Sequence, residues 1–153
     1  MKEQPTGESG QGLLLLPRYL LPVRPQQTIL EHHAVRLRGD RIDEVLPREE
    51  ALEAYPDDRR VSLDRHVLLP GLVNMHTHSP MTLLRGFADD LPLEDWLRQH
   101  IWPAEGRWVD AEFVADGTRL ALLEMLRGGI TCFNDMYFHA EVTARVCAEA
   151  GMR

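Results

Sequence analysis

At 153 residues, 44% of them hydrophobic, the chain has the composition of an ordinary folded domain and not of a disordered segment. Seventeen basic residues against 24 acidic ones give a net charge of −7 with neutral histidines, which argues against a nucleic-acid partner; the local pair Arg59-Arg60 is answered by Asp57-Asp58. The early apolar run, Leu13 to Leu16, is too short to span a bilayer and follows a polar, acidic start unlike a signal peptide, so no membrane partner is expected and a cytoplasmic location is.

Residues 1–11 are rich in Gly, Glu and Gln without periodicity and read as a mobile tail. From 12 to 69 the pattern is one of short strands: around Gly12 to Leu16, through Ile29 to Leu37, a turn at Gly39-Asp40, and a further strand through Arg41 to Leu46. Arg36, Arg38 and Arg41 alternate with apolar neighbours as in a half-buried hairpin. Pro47 followed by Glu49 and Glu50 starts a short helix to Ala54, because proline lacks the N–H that a first helical residue does not use. Val61 to Leu63 and His66 to Leu68 return to strand-like residues.

Pro70-Gly71 breaks the chain before Leu72 to Met75, which is too short for a helix and reads as a buried strand ended by Ser79-Pro80. Two helices follow: a short one, Leu93 to Gln99, with Trp96 and Leu97 on its apolar side, and a longer one, Asp110 to Arg127, with Phe113, Leu120, Leu123 and Leu126 as its apolar positions. Gly128-Gly129 closes the second. Ile130 to Phe133 is a second buried strand, with Asn134-Asp135 at its C-terminal end, and Glu141 to Ala150 a further helix. This βαβ alternation predicts an α/β fold with parallel strands.

His76 and His78 stand at the end of the first of these strands. Residues i and i+2 of a strand share a face, so two imidazoles there can grip one divalent ion, and the C-terminal ends of parallel strands are where barrel active sites are built. His139 reads as a loop histidine; His32, His33, His66 and His100 have no ligand-like partners and read as surface or packing residues. Asp135 reads first as a cap for the following helix, with orientation of neighbouring groups as the alternative. Trp102 and Met136 fit either core packing or an apolar wall. Cys132 and Cys147 are too few for a disulfide framework.

The string Leu69-Pro70-Gly71-Leu72-Val73-Asn74-Met75-His76-Thr77-His78 resembles the first-strand signature of the amidohydrolase superfamily. Met81 to Gly86, Asp90 to Leu97, Ile101 to Glu105 and Gly129 to Tyr137 resemble the branch containing 5-methylthioadenosine and S-adenosylhomocysteine deaminases and triazine hydrolases. The resemblance implies that 70–153 holds the first two βα units of a metal-dependent-hydrolase (β/α)8 TIM-like barrel, incomplete in this chain, and that 12–69 is the N-terminal part of a small β-sandwich. It implies His76 and His78 as ligands of one divalent metal ion, Zn2+ being the expected one. Glu105, 27 residues after His78, stands where the branch has a glutamate that binds the substrate's ribose hydroxyls.

The implied activity is hydrolytic deamination of a small-molecule purine nucleoside, 5-methylthioadenosine or S-adenosylhomocysteine, with release of ammonia. Other heterocycle hydrolases of the branch, such as triazine hydrolases and guanine or cytosine deaminases, are the alternative. In the family a third histidine, an aspartate and a proton-donating glutamate complete the site; these catalytic groups are expected beyond Arg153, none being found within the chain. The chain accordingly reads as an N-terminal fragment, inactive in isolation, of an enzyme that in its full-length form allows a homo-oligomer.

Overall fold

The computed structural model describes residues 11–153, so the expected tail lies outside the described residues except for Gln11, whose side chain donates to the Asp57 carbonyl. The chain divides at Pro70/Gly71 into two compact units.

The first unit is a five-stranded sheet: β1 (Leu13–Leu20), β2 (Leu30–Glu31), β3 (His33–Arg38), β4 (Arg41–Pro47) and β5 (Arg59–Leu68), with α1 (Arg48–Ala54) between the last two strands. β1 lies inside the sheet, antiparallel to β2 and β3 and parallel to β5. It runs past the expected end at Leu16, through a fully buried Pro17, to Leu20. Proline is tolerated there because β3 pairs with residues 13–15 and β2 with residues 19–20, leaving a gap in the ladder where the missing N–H is not needed. The expected strand from Ile29 to Leu37 is split at His32, which adopts a left-handed φ of 52°. Gly39-Asp40 forms the two-residue turn between β3 and β4, with Gly39 at φ 60°. Leu14, Leu16, Ala34 and Ala51 form the core of this unit, the two leucines on one face of β1 at the two-residue period of a strand.

Arg36, read as part of a half-exposed hairpin, is buried at 9% exposure. A register shift after its pairing with Glu44 brings Asp43 to its guanidinium, Nε donates to Asp58 Oδ2 at 2.7 Å, and the Tyr55 ring stacks on it 3.7 Å away. The Gly12 amide donates to Asp58 Oδ1 at 2.8 Å; a Cβ on Gly12 would stand 2.4 Å from the other oxygen, so only glycine allows that approach.

The second unit has two parallel strands, β6 (Leu72–Thr77) and β7 (Ile130–Asp135). After β6 a 3₁₀ turn (Ser79–Leu84) leads to α2 (Leu93–Trp96), a π-helical turn (Leu97–Ile101) and α3 (Trp102–Trp108), then α4 (Ala111–Arg127); α5 (Ala140–Ala150) follows β7. Asp110 caps α4, its carboxylate accepting from the Phe113 amide at 2.9 Å. The helix expected to end at Gln99 continues because a π turn replaces the bond that Pro103 cannot make: the Trp102 amide donates to Leu97 O, five residues back.

The buried face of α4 is Val114, Thr118, Ala121, Leu122 and Met125, which packs with Val142 and Val146 of α5. The expected face was wrong: Leu123 and Leu126 are 57% and 45% exposed. Small residues turn inward because the 3₁₀ turn presses against the helix backbone. A Cβ on Gly117 would lie 2.4 Å from the Pro80 carbonyl oxygen and 2.7 Å from its Cα. β6, expected to be buried, exposes Val73 and Met75, since parallel strands bury both faces only when both are covered and the described residues cover one.

Two outcomes are expected. Gly117→Ala should lower stability by about 1–3 kcal/mol despite alanine's better helix propensity, since backbone and not a flexible side chain opposes the new methyl; thermal unfolding measures it. The Arg36 guanidinium holds the Asp58 carboxyl below the usual carboxylate range, so its stabilisation is present above the ordinary aspartate value and is lost as pH falls through the lowered one. Asp58→Asn should therefore destabilise the protein near neutral pH, with the difference from wild type shrinking in acid, as unfolding curves across that range would record.

Candidate metal and substrate site

The C-terminal ends of β6 and β7 are tied together by one side chain. Thr77 lies opposite Asp135 in the ladder, and Asp135 Oδ1 accepts from the Thr77 hydroxyl at 2.9 Å and from the Ser79 amide at 2.7 Å. Asp135 thus caps the 3₁₀ turn that follows β6; α5, where a cap was expected, has His139 at its N-cap with no side-chain bond. The residue between the two gripped groups is His78. Its Nδ1 donates to the Met136 carbonyl at 2.6 Å, since a carbonyl only accepts, and Nε2 is the ring nitrogen left for another partner. Ser79 and Thr118, both buried, meet at 3.4 Å and hold the turn from behind.

The rings of His76 and His78 have centroids 5.0 Å apart and are nearly perpendicular. Two imidazoles on one tetrahedral ion, with metal–nitrogen distances of about 2.0–2.1 Å, have centroids roughly 5 Å apart, so the pair fits a shared divalent ion. The His78 Nδ1 bond is the outer support such a ligand ordinarily has. Among the described residues no third histidine, cysteine or carboxylate joins the pair.

An open cavity of about 690 Å3 lies over the histidines. Leu93, Trp96, Leu97, Ile101, Trp102, Met136 and Phe138 give it apolar walls, and Glu105 is the one described carboxylate that lines it. Glu105 projects from α3 and accepts a 2.8 Å hydrogen bond from the Tyr137 hydroxyl. Burial, then the neighbouring Glu105 carboxylate, pushes the Tyr137 phenol well above its ordinary value, so it remains a donor. The structure therefore brings His76, His78 and Glu105 to one cavity. Trp102 and Met136, 51% and 66% exposed, line it and are not core residues.

His139 does not line this cavity and faces Glu141 at 3.6 Å. His33 Nδ1 meets the Glu31 carbonyl at 2.7 Å and His100 packs edge-on to Phe87. Cys132 and Cys147 are half-buried free thiols. Sequence reasoning gave Tyr137 no role. The signals it carries are its place at the end of the resembling stretch Gly129 to Tyr137 and its position two residues past the strand-end Asp135, on the side of the sheet that carries His76 and His78.

Residues 67–153 match the profile of the amidohydrolase family. The chain belongs to the amidohydrolase family. It is 48% identical over 148 residues to 5-methylthioadenosine/S-adenosylhomocysteine deaminase of Saccharophagus degradans, covering 97% of this chain and 33% of that protein. An adenosine deaminase from Xanthomonas campestris, solved with bound zinc, superposes with a TM-score of 0.89 and 52% identity over 92% of this chain and 32% of that one. Atrazine chlorohydrolase from Arthrobacter aurescens, complexed with zinc, shares the fold at a TM-score of 0.77 and 22% identity, over 92% and 34% of the two chains. The chain spans about a third of the length of these relatives.

If the Asp135 clamp holds the ligand-bearing turn, Asp135→Ala should weaken zinc binding about 10- to 100-fold. Asp135→Asn keeps an acceptor oxygen and should lose much less. Competition with a chromophoric chelator would measure both.

Proposed function

We propose that this chain supplies part of the active site of a metal-dependent deaminase acting on adenine nucleosides, with 5-methylthioadenosine or S-adenosylhomocysteine as substrate and ammonia as product. The observation that carries the reading is the convergence of His76, His78 and Glu105 on one apolar-walled cavity. The names of the Saccharophagus and Xanthomonas relatives support it.

His76 and His78 would hold the divalent ion, zinc in this reading as in the Xanthomonas structure. Bound there, the ion supplies an activated water for attack on the ring carbon that carries the amino group. Glu105 accepts hydrogen bonds from vicinal sugar hydroxyls, a charge-assisted pairing that orients the nucleoside. Trp96, Leu97 and Trp102 flank the base and thioether with apolar surface and exclude bulk water.

In this reading residues 70–153 are the opening βα units of a TIM-like barrel and 12–69 contribute to a β-sandwich. The two free thiols are in keeping with a reducing, cytoplasmic compartment.

The metal-loaded enzyme is expected to release ammonia from 5-methylthioadenosine or S-adenosylhomocysteine, followed by the ultraviolet change as adenine becomes hypoxanthine. Glu105→Gln should raise KM for either nucleoside roughly 10- to 100-fold while leaving the affinity of the free base adenine unchanged. Absence of ammonia from both nucleosides, or an unaltered KM in the variant, would sink the assignment.

A further inference from the structure

The segment Asp135-Met136-Tyr137 places three successive residues on three different parts of the site. The Asp135 carboxylate grips Thr77 and Ser79 on either side of His78, the Met136 carbonyl fixes the His78 ring, and the Tyr137 hydroxyl reaches Glu105 on α3. Metal ligand and sugar ligand come from segments far apart in sequence, and this short stretch contacts both. Its own backbone is anchored in turn, since the Met136 amide donates to the Thr77 carbonyl at 3.1 Å.

Glu105 needs such a hold. A glutamate has three rotatable side-chain bonds, and ordering it for recognition costs conformational entropy unless something already restricts it. Among the described residues the Tyr137 phenol is the side-chain partner of Glu105. Tyr137 is itself restrained: its ring is half-buried and packs edge-on against Phe138 at 5.1 Å, with the His78 ring 6.3 Å away. A single bond to Oε1 leaves Oε2 and the remaining lone pair on Oε1 to accept from a ligand.

We propose that Tyr137 is a positioning residue that sets the Glu105 carboxylate for a vicinal diol and holds it at a fixed place relative to the His76–His78 pair. Tyr137 touches neither the reacting carbon nor the ion, and it acts through Glu105. The inference rests on the reading of Glu105 as the sugar ligand. It goes further in assigning the geometric selectivity for a cis-diol to the phenol hydroxyl.

The test is made on the complete metal-loaded deaminase to which this chain contributes and compares wild type with Tyr137→Phe, Glu105→Gln and the double variant, using 5-methylthioadenosine, its 3′-deoxy analogue and free adenine as a competitive inhibitor. Tyr137→Phe should raise KM for the nucleoside about three- to tenfold with kcat retained. The penalty for removing the 3′-hydroxyl should shrink, because a freely turning carboxylate no longer distinguishes two hydroxyls from one. Adenine inhibition should not change, and Tyr137→Phe should add nothing in the Glu105→Gln background.

A loss that falls equally on nucleoside and adenine, or that adds in full to the Glu105→Gln effect, would mean a merely structural role and would overturn the proposal. Should Glu105→Gln weaken nucleoside binding while Tyr137→Phe leaves KM and the 3′-deoxy penalty untouched, the positioning role alone fails. Should Glu105→Gln itself change nothing, the sugar-ligand reading fails first.

Discussion

The site depends on one carboxylate oxygen. Asp135 Oδ1 accepts from a side-chain hydroxyl and a backbone amide that flank His78, and in doing so it joins the ends of β6 and β7 and starts the 3₁₀ turn. Two parallel strands standing together make a weak sheet, with slanted ladder bonds and no tight hairpin to fix register. A cross-strand side-chain clamp at the end that carries His76 and His78 supplies local order just where imidazole directions matter. The clamp has a backing as well: Gly117 lets α4 approach Pro80 to backbone distance, and Thr118 meets Ser79, so the turn is held from the side opposite the cavity.

Much of this was legible from residue order. The histidine pair at a strand end, the long helix from about Asp110 closed by Gly128-Gly129, and the Gly39-Asp40 hairpin all follow from local signals, because each rests on neighbours in sequence. Failures gather where distant segments decide. The apolar periodicity of α4 pointed to Leu123 and Leu126, whereas close approach by the 3₁₀ turn selects the face of small residues, Gly117, Thr118 and Ala121. The burial of Arg36 follows from a register shift that delivers Asp43 and from Asp58 arriving through β5's approach, neither of which a window of sequence contains. A buried cation is tolerable only when its hydrogen-bonding capacity is met, and here two carboxylates and an aromatic face meet it.

Within the candidate site the same division holds. His76, His78 and Glu105 could be named from motif and interval, but their mutual geometry could not, since it arises from Met136 and Tyr137 of a segment nearly sixty residues beyond the histidines. Asp135, Met136 and Tyr137 lie in the Gly129 to Tyr137 stretch that resembles the branch, but no spacing rule within that stretch says which groups they will meet. They are ordinary strand-end residues whose importance lies in the partner strand they happen to face.

The π turn at Leu97–Ile101 has a consequence for how a helix can line a cavity. Leu93, Leu97, Ile101 and Glu105 all face the pocket at intervals of four, yet in a regular α-helix four residues overshoot a full turn by about 40°, so such a row would wind away from the cavity within three steps. A turn of i→i+5 bonds packs more residues into each revolution and rotates the row back. The wide turn acts as a phase corrector: it keeps an apolar wall and a terminal carboxylate on a single line. Shortening it by one residue would leave the helix intact while swinging Glu105 out of the site.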